Sequence, residues 1–434
     1  MKKNYIYFLF FIFLSLANCN IFAGEPIILR YADKLIGENN DNVNSRTLVG
    51  NVQLQQGNVY VNCVNATQYI LLNKYKLSNN VVIKQNTLTL KSQYILYDGN
   101  SYIATAEQGV IINDKTVELK ADRGEYSTKT FIANFYDNVV FQDDSVSIFC
   151  NYINHNRVTS DSKAIGNVLI KGKHTNVFLF GDTVVNIANT NYSLATGNPL
   201  FYRIDTITVI DTIDNIVQEH NKFDTLTITA DTMEAFRSNT DEYYHFIGNV
   251  KIIKDNISAI SNDIYFYKHK QYFILKDNPV IWYDNAQMHS DSIVIFFDKN
   301  KITNIQAINN AFVIMQNDTN NLNRKDQLAG NQINITFLDD SLRIIKSNGN
   351  ARSIYFMLNN KEADGVVESS ADSIQINISQ NGTENITLIN QNQGNYQPEK
   401  FVTGMETDFI LNGYKFSDKK PIKREFDIQK YIKN

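Results

Sequence analysis

Proline is nearly missing from this chain: there are five in 434 residues, three of them near the ends at 26, 398 and 421. A hydrogen-bonded β ladder tolerates few residues that lack an N–H donor, so the shortage fits extended structure. The interior pair, Pro199 and Pro279, each follow an Asn, where a strand can begin. Cysteine is scarcer still, with Cys63 and Cys150 the only two beyond residue 19. No sign of charge dominates, because a net −4 over the whole chain leaves no electrostatic footprint for nucleic acid. No apolar run after the first residues is long enough to anchor in a bilayer. The six histidines (155, 174, 220, 245, 269 and 289) show no metal-ligand spacing, and there is neither a Gly-x-Ser-x-Gly elbow nor a glycine-rich phosphate loop. Asp143-Asp144 and Asp339-Asp340 lack the glycine–aspartate nonapeptide of calcium-binding β-rolls and read as solvated turns. A non-enzymatic protein with no catalytic residues, no metal and no cofactor is the expectation.

What is present starts with Met1-Lys2-Lys3 and an apolar run from Tyr5 to Leu16, too short to span a membrane and built like a secretory signal. Ala23 before Gly24 supplies the small residue for cleavage, so 1–23 reads as the signal peptide. Lipoprotein processing at Cys19 fits less well, since Asn18 stands where a small residue is needed.

The body of the chain repeats. Valines at 52, 81, 110, 139 and 168 follow Asn or Gly at a constant step of 29. In the same register come Leu54, Ile83, Ile112, Phe141 and Ile170, and then the pairs Val59/Val61, Leu88/Leu90, Val117/Leu119 and Val146/Ile148. Polar tetrads separate them, among them Gln55-Gln56-Gly57-Asn58 and Lys84-Gln85-Asn86-Thr87. Alternation with period two around such turns predicts two strands per unit. A weaker third strand is expected at Ala66/Gln68/Ile70, Tyr94/Leu96, Ile132/Asn134 and Ile153/His155. Looser copies begin at Gly197, Gly248, Asp277, Asn309 and Gly349, and a small residue followed by Asp or Asn recurs between them, as in Ala121-Asp122 and Ala230-Asp231. The fold class is therefore all-β: a repetitive solenoid of about ten stacked rungs, with antiparallel strands in two facing sheets.

Cys63 and Cys150 are three repeats apart in one column. One strand spacing of ~4.8 Å per rung would place them on the order of 14 Å from each other, beyond disulfide reach, so both are expected to be free and inward-facing. An Asp-, Asn- and Lys-rich insertion at 211–224 marks the expected division into a first module, 24–210, and a second, 211–390. From 391 to 434 the rung pattern fades into an irregular basic tail that reads as a solvated end.

Stacking alone accounts for aligned apolar columns, since no repeat can bury its own face. Alternatively, the two sheets leave an open apolar seam, and the columns at Val52, Leu54, Val59, Val61, Val81, Ile83, Leu88, Leu90, Val110, Ile112, Val117, Leu119, Val139, Phe141, Val146, Ile148, Val168 and Ile170 line a groove for hydrocarbon chains. A closed solenoid acting as a secreted adhesin or surface scaffold is the competing reading.

Ala32-Asp33-Lys34 followed by Leu48-Val49-Gly50-Asn51-Val52-Gln53-Leu54-Gln55-Gln56-Gly57-Asn58-Val59 resembles the opening of the OstA-like, or LptA-type, lipopolysaccharide-transport family. Phe223-Asp224-Thr225-Leu226 through Ala230-Asp231-Thr232 is similar to a segment of the longer OstA-like proteins of Bacteroidetes-type bacteria. The resemblance implies a β-jellyroll in the periplasm that carries lipid A acyl chains and helps bridge the inner and outer membranes. It also implies neighbouring jellyroll components at the inner membrane and in the outer-membrane translocon, while the open first and last rungs of such a solenoid themselves invite edge-strand pairing with them or end-to-end self-association. The chain is about twice as long as a simple bridge of this type, and it has no C-terminal series of barrel strands.

Overall fold

A computed structural model describes residues 25–422, apart from 41–42, 214–215, 256, 299–300, 317–320, 339–340, 360–361 and 380–381. The expected signal peptide, Cys19, Asp339-Asp340 and the last twelve residues of the tail lie outside the described residues. So does the side chain of His220.

Among the described residues there is no α-helix; antiparallel strands follow one another in sequence and pair with their neighbours. The recurrent Asn-Val dipeptides mark where these strands bend. Gly50 and Asn51 both adopt left-handed φ values, +76° and +46°, and Asn79-Asn80, Asp137-Asn138, Gly166-Asn167 and Gly248-Asn249 do the same. Two successive left-handed residues turn the strand through the plane of the sheet, so the residues before and after the bend lie in two facing layers. Asn tolerates this conformation far better than a β-branched residue does. The small-Asp markers are the other half of the same device. Asn51 Nδ2 donates at 3.0 Å to Asp33, which stands in the break between the neighbouring strands Ile28–Tyr31 and Lys34–Asn40, and Asn138–Asp122 (2.7 Å), Asn249–Asp231 (2.9 Å) and Asn310–Asp291 (3.1 Å) repeat the bond.

A 29-residue step is consequently two bent antiparallel strands, as in Val43–Gln56 with Val59–Tyr69, although from Ile103 to Ser127 the bends divide the pair into four shorter strands. The expected third strand is no separate element: Ala66 and Gln68 belong to Val59–Tyr69, and Tyr94 and Leu96 to Leu88–Asp98. Likewise Ile132 and Asn134 open Ile132–Gln142, and Ile153 and His155 lie in Val146–Asn156. Period-two alternation breaks at each bend, so a single strand read as two. The polar tetrads also shrink. The turn proper is Gly57-Asn58 or Asn86-Thr87, while Gln56 and Gln85 remain strand residues and are buried.

The same correction doubles the cysteine separation. Six strand pairings lie between Cys63 and Cys150, on the order of 29 Å at ~4.8 Å each. Both thiols are free and buried, and burial pushes Cys63 up to about 11 and Cys150 to about 12.

One apolar core runs between the layers from Leu48 to Ile374. The 211–224 insertion extends from it as part of a long hairpin, Leu200–Ile213 paired with Ile216–Thr229, while Tyr192–Thr196 pairs with Thr232–Phe236 beside it. Pro199 and Pro279 stand immediately before Leu200–Ile213 and Val280–Tyr283. The rung pattern persists past 391, since Gln393–Gln397 still pairs with Glu362–Ser379.

The segment beyond it is not a solvated end as far as 422. It runs back across the outer face of one layer. Val402 is buried against Ile354, Phe356 and Val366. Arg324 reaches Glu399 at 2.5 Å and Glu406 at 3.3 Å. Gln327 and Gln287 each use both ends of the amide, donating to Phe409 O and Lys415 O while accepting from Leu411 N and Ser417 N.

Candidate functional site

The columns singled out in the sequence point inward through the first half. Val52, Leu54, Val59, Val61, Val81, Ile83, Leu88, Leu90, Val110, Ile112, Leu119, Val139, Phe141 and Val168 are buried, whereas Val117, Val146, Ile148 and Ile170 are half-buried. Here the interior is packed, and its far edge is shut by hydrogen bonds. Tyr97 Oη donates to Gln56 Oε1 at 2.5 Å, and Gln56 Nε2 donates to the carbonyls of Glu25 and Gly99. One repeat later Tyr126 Oη donates to Gln85 Oε1 at 3.0 Å, and Gln85 Nε2 to Thr128 O at 2.8 Å. The next copy of the column replaces the amide with Asp114, which accepts from Arg157 Nε at 2.5 Å. All three clasps join the end of one layer to the end of the other.

Farther along the layers part. A cavity of about 420 Å³ opens sideways between residues 175 and 302. Leu226, Ile228, Phe246, Ile252, Ile257, Ala259 and Phe273 form its floor, and the half-buried Phe201, Tyr244, Phe266, Phe297 and Ile302 its walls. Phe266 stacks on Phe273 with ring centroids 4.4 Å apart. None of the sequence-selected column residues lines this cavity. Ile252, Ile257 and Ala259 nevertheless stand after Asn249 where Leu54, Val59 and Val61 stand after Asn51. The column pattern therefore reaches the cavity, but in the loosely spaced copies.

The clasp positions change there. Five residues after Asn51 and Asn80 come Gln56 and Gln85; five after Asn249 comes Lys254. Four residues after the opposing bend at Gln93 and Asp122 come Tyr97 and Tyr126; four after Asp291 comes Ile295. A Gln–Tyr pair has become Lys–Ile, which cannot bridge the layers by a neutral hydrogen bond, and both residues line the opening.

The rim is polar and charge-matched. Arg203 pairs with Asp205 at 2.8 Å, Lys254 with Asp224 at 3.4 Å and Asp205 at 3.6 Å, and Lys268 with Glu242 at 3.0 Å. With each cation answered by a carboxylate, the site offers an apolar interior rather than a net field. Its size is in the range of small-molecule pockets. Among the described residues no three or more His, Cys, Asp or Glu side chains come together as metal ligands would.

Comparison with known proteins gives one family. Residues 25–137 match the family model of OstA-like proteins. The OstA-like family is in general one of lipopolysaccharide transport and binding, associated with the cell envelope. No curated protein matches the chain. The OstA-like region contains the first two clasps in full, and the open cavity lies beyond it. No helix among the described residues is long and apolar enough to cross a membrane.

Proposed function

We propose that this chain is a non-catalytic lipid-binding protein of lipopolysaccharide transport, exported to the periplasm, which holds acyl chains in the cavity between Thr175 and Ile302. The observation that carries this reading is the side opening into an aromatic and aliphatic interior in a chain whose first part is OstA-like. Each methylene removed from water there is worth about 0.8 kcal/mol, so a single acyl chain supplies enough apolar contact for stable capture. Because the rim charges are matched, the sugar–phosphate part of a lipopolysaccharide would remain outside. The edge strands Ile28–Tyr31 and Lys34–Asn40 expose Ile28, Leu29, Tyr31, Leu35 and Ile36, as an edge that pairs with another jellyroll component by strand addition would. Through such pairing the protein would take its place in a bridge between the membranes.

The test is titration of a bound fluorescent fatty acid with lipopolysaccharide, using the wild type and Phe266→Asp. Phe266 is half-buried at the cavity wall, so a carboxylate there can remain hydrated without breaking the core. Affinity for both ligands is expected to fall about a hundredfold, from the cost of placing a charge against the acyl chain. Circular dichroism should be unchanged. A folded Phe266→Asp variant with wild-type affinity would remove the cavity from the account.

A further inference from the structure

The clasps do more than decorate the first half. Gln56, Gln85, Tyr97 and Tyr126 are all nearly inaccessible, and each Gln spends both amide atoms on partners across the seam. A hydrocarbon chain entering between them would have to strip those hydrogen bonds and displace a core whose side chains, Val81 and Leu90 among them, are almost fully buried. At the corresponding positions Lys254 is paired along the rim with Asp224 and Asp205, and Ile295 has no hydroxyl with which to complete a clasp. We infer that the Gln–Tyr clasps set the boundary of the lipid-accessible seam, so that acyl chains enter sideways and occupy only the central cavity, while the first half is a closed base that lipid does not traverse. This rests on the lipid-binding reading and refines it: within the bridge the molecule holds and presents a lipid at its central opening, and the edge at Ile28–Tyr31 and Lys34–Asn40 is an attachment rather than a conduit. Identity at the two clasp positions decides which strands are open, with Gln and Tyr closing and Lys and Ile opening.

The experiment uses the full chain and palmitic acid carrying a photoreactive diazirine, with labelled peptides mapped by mass spectrometry. Label is expected on peptides containing Phe246, Phe266 and Ile295 and not on those containing Val81, Ile83 and Leu90. Label at Val81–Leu90 in the unmodified protein would overturn the closed base. Label nowhere would overturn the lipid reading itself, a different result from the first. In a second arm Gln56→Ala/Gln85→Ala is compared with the milder Tyr97→Phe/Tyr126→Phe, each checked for folding by circular dichroism. Opening two clasps is expected to raise labelling at Val81–Leu90 about tenfold, the equivalent of losing one to two net hydrogen bonds. If both folded variants label as the wild type does, the clasps are not the boundary. In the reverse arm, Lys254→Gln/Ile295→Tyr is expected to lower labelling at Phe266, and undiminished labelling there would contradict the assignment of these two positions.

Discussion

At the scale of single residues, a buried glutamine facing a buried tyrosine hydroxyl is a costly arrangement that has to be complete. Gln56 Oε1 is paired with Tyr97 Oη, and burial raises the tyrosine to about 12, so it stays a neutral donor across the ordinary pH range. Removing the hydroxyl leaves the amide oxygen in the interior without its donor, a cost of about 1–3 kcal/mol. Tyr97→Phe should lower the unfolding free energy by that amount, read as a lower urea midpoint at an unchanged slope, whereas Tyr60→Phe, at a half-exposed position, should change stability by less than about 0.5 kcal/mol. Equal midpoints for the two variants would show that the clasp contributes nothing. The pair was open to detection in the sequence, since Gln56 and Gln85 share the 29-residue step, as do Tyr97 and Tyr126. It was hidden because a polar residue next to Gly57-Asn58 looks like part of the turn, and because nothing local says that a strand end meets its partner 41 residues later.

At the scale of elements, the bend is what makes a jellyroll from a meander. Gly50 combines a φ of +76° with an approach to Asp33 so close that a Cβ would fall on its carboxylate. Gly50→Ala therefore incurs both the left-handed penalty and displacement of Asp33 from Asn51, together about 2 kcal/mol. Gly37→Ala, where a Cβ meets open space, serves as the control. Comparison of thermal midpoints checks this, and a Gly50→Ala protein as stable as Gly37→Ala would mean that the bend tolerates an ordinary residue. Strand content, antiparallel order and the inward faces of Val52, Val81 and Val139 were all legible, because period two survives within each layer. The number of strands per repeat was not. Alternation resets at the two left-handed residues, and the reset resembles a loop between separate strands.

At the scale of the whole molecule, the same repeat does two jobs according to what occupies a few positions. In the first half, complementary polar ends zip the layers together over a packed core. Around Phe246 and Phe266, the layers part over an apolar floor. The segment from Val402 to Ile422 lies across the outside of that second half, tied down by Arg324, Gln327 and Gln287. It supports the layer from behind where the clasps are missing in front. Sequence periodicity located the apolar columns but placed the groove in the regular repeats. Regularity is what packing rewards, and an opening requires departure from it, so the cavity lies among the irregular copies between 175 and 302. The tail's role escaped notice because its anchoring residues belong to distant strands.

The central claim is that this opening holds an acyl chain. Native mass spectrometry of the protein exported in a lipopolysaccharide-producing cell, recovered without detergent, addresses it directly. The expected spectrum shows the protein carrying a lipid whose mass and fragments report fatty acyl groups, with that species depleted when Phe266 is Asp. A chain that is lipid-free as isolated, and that stays so after incubation with lipopolysaccharide, would contradict it.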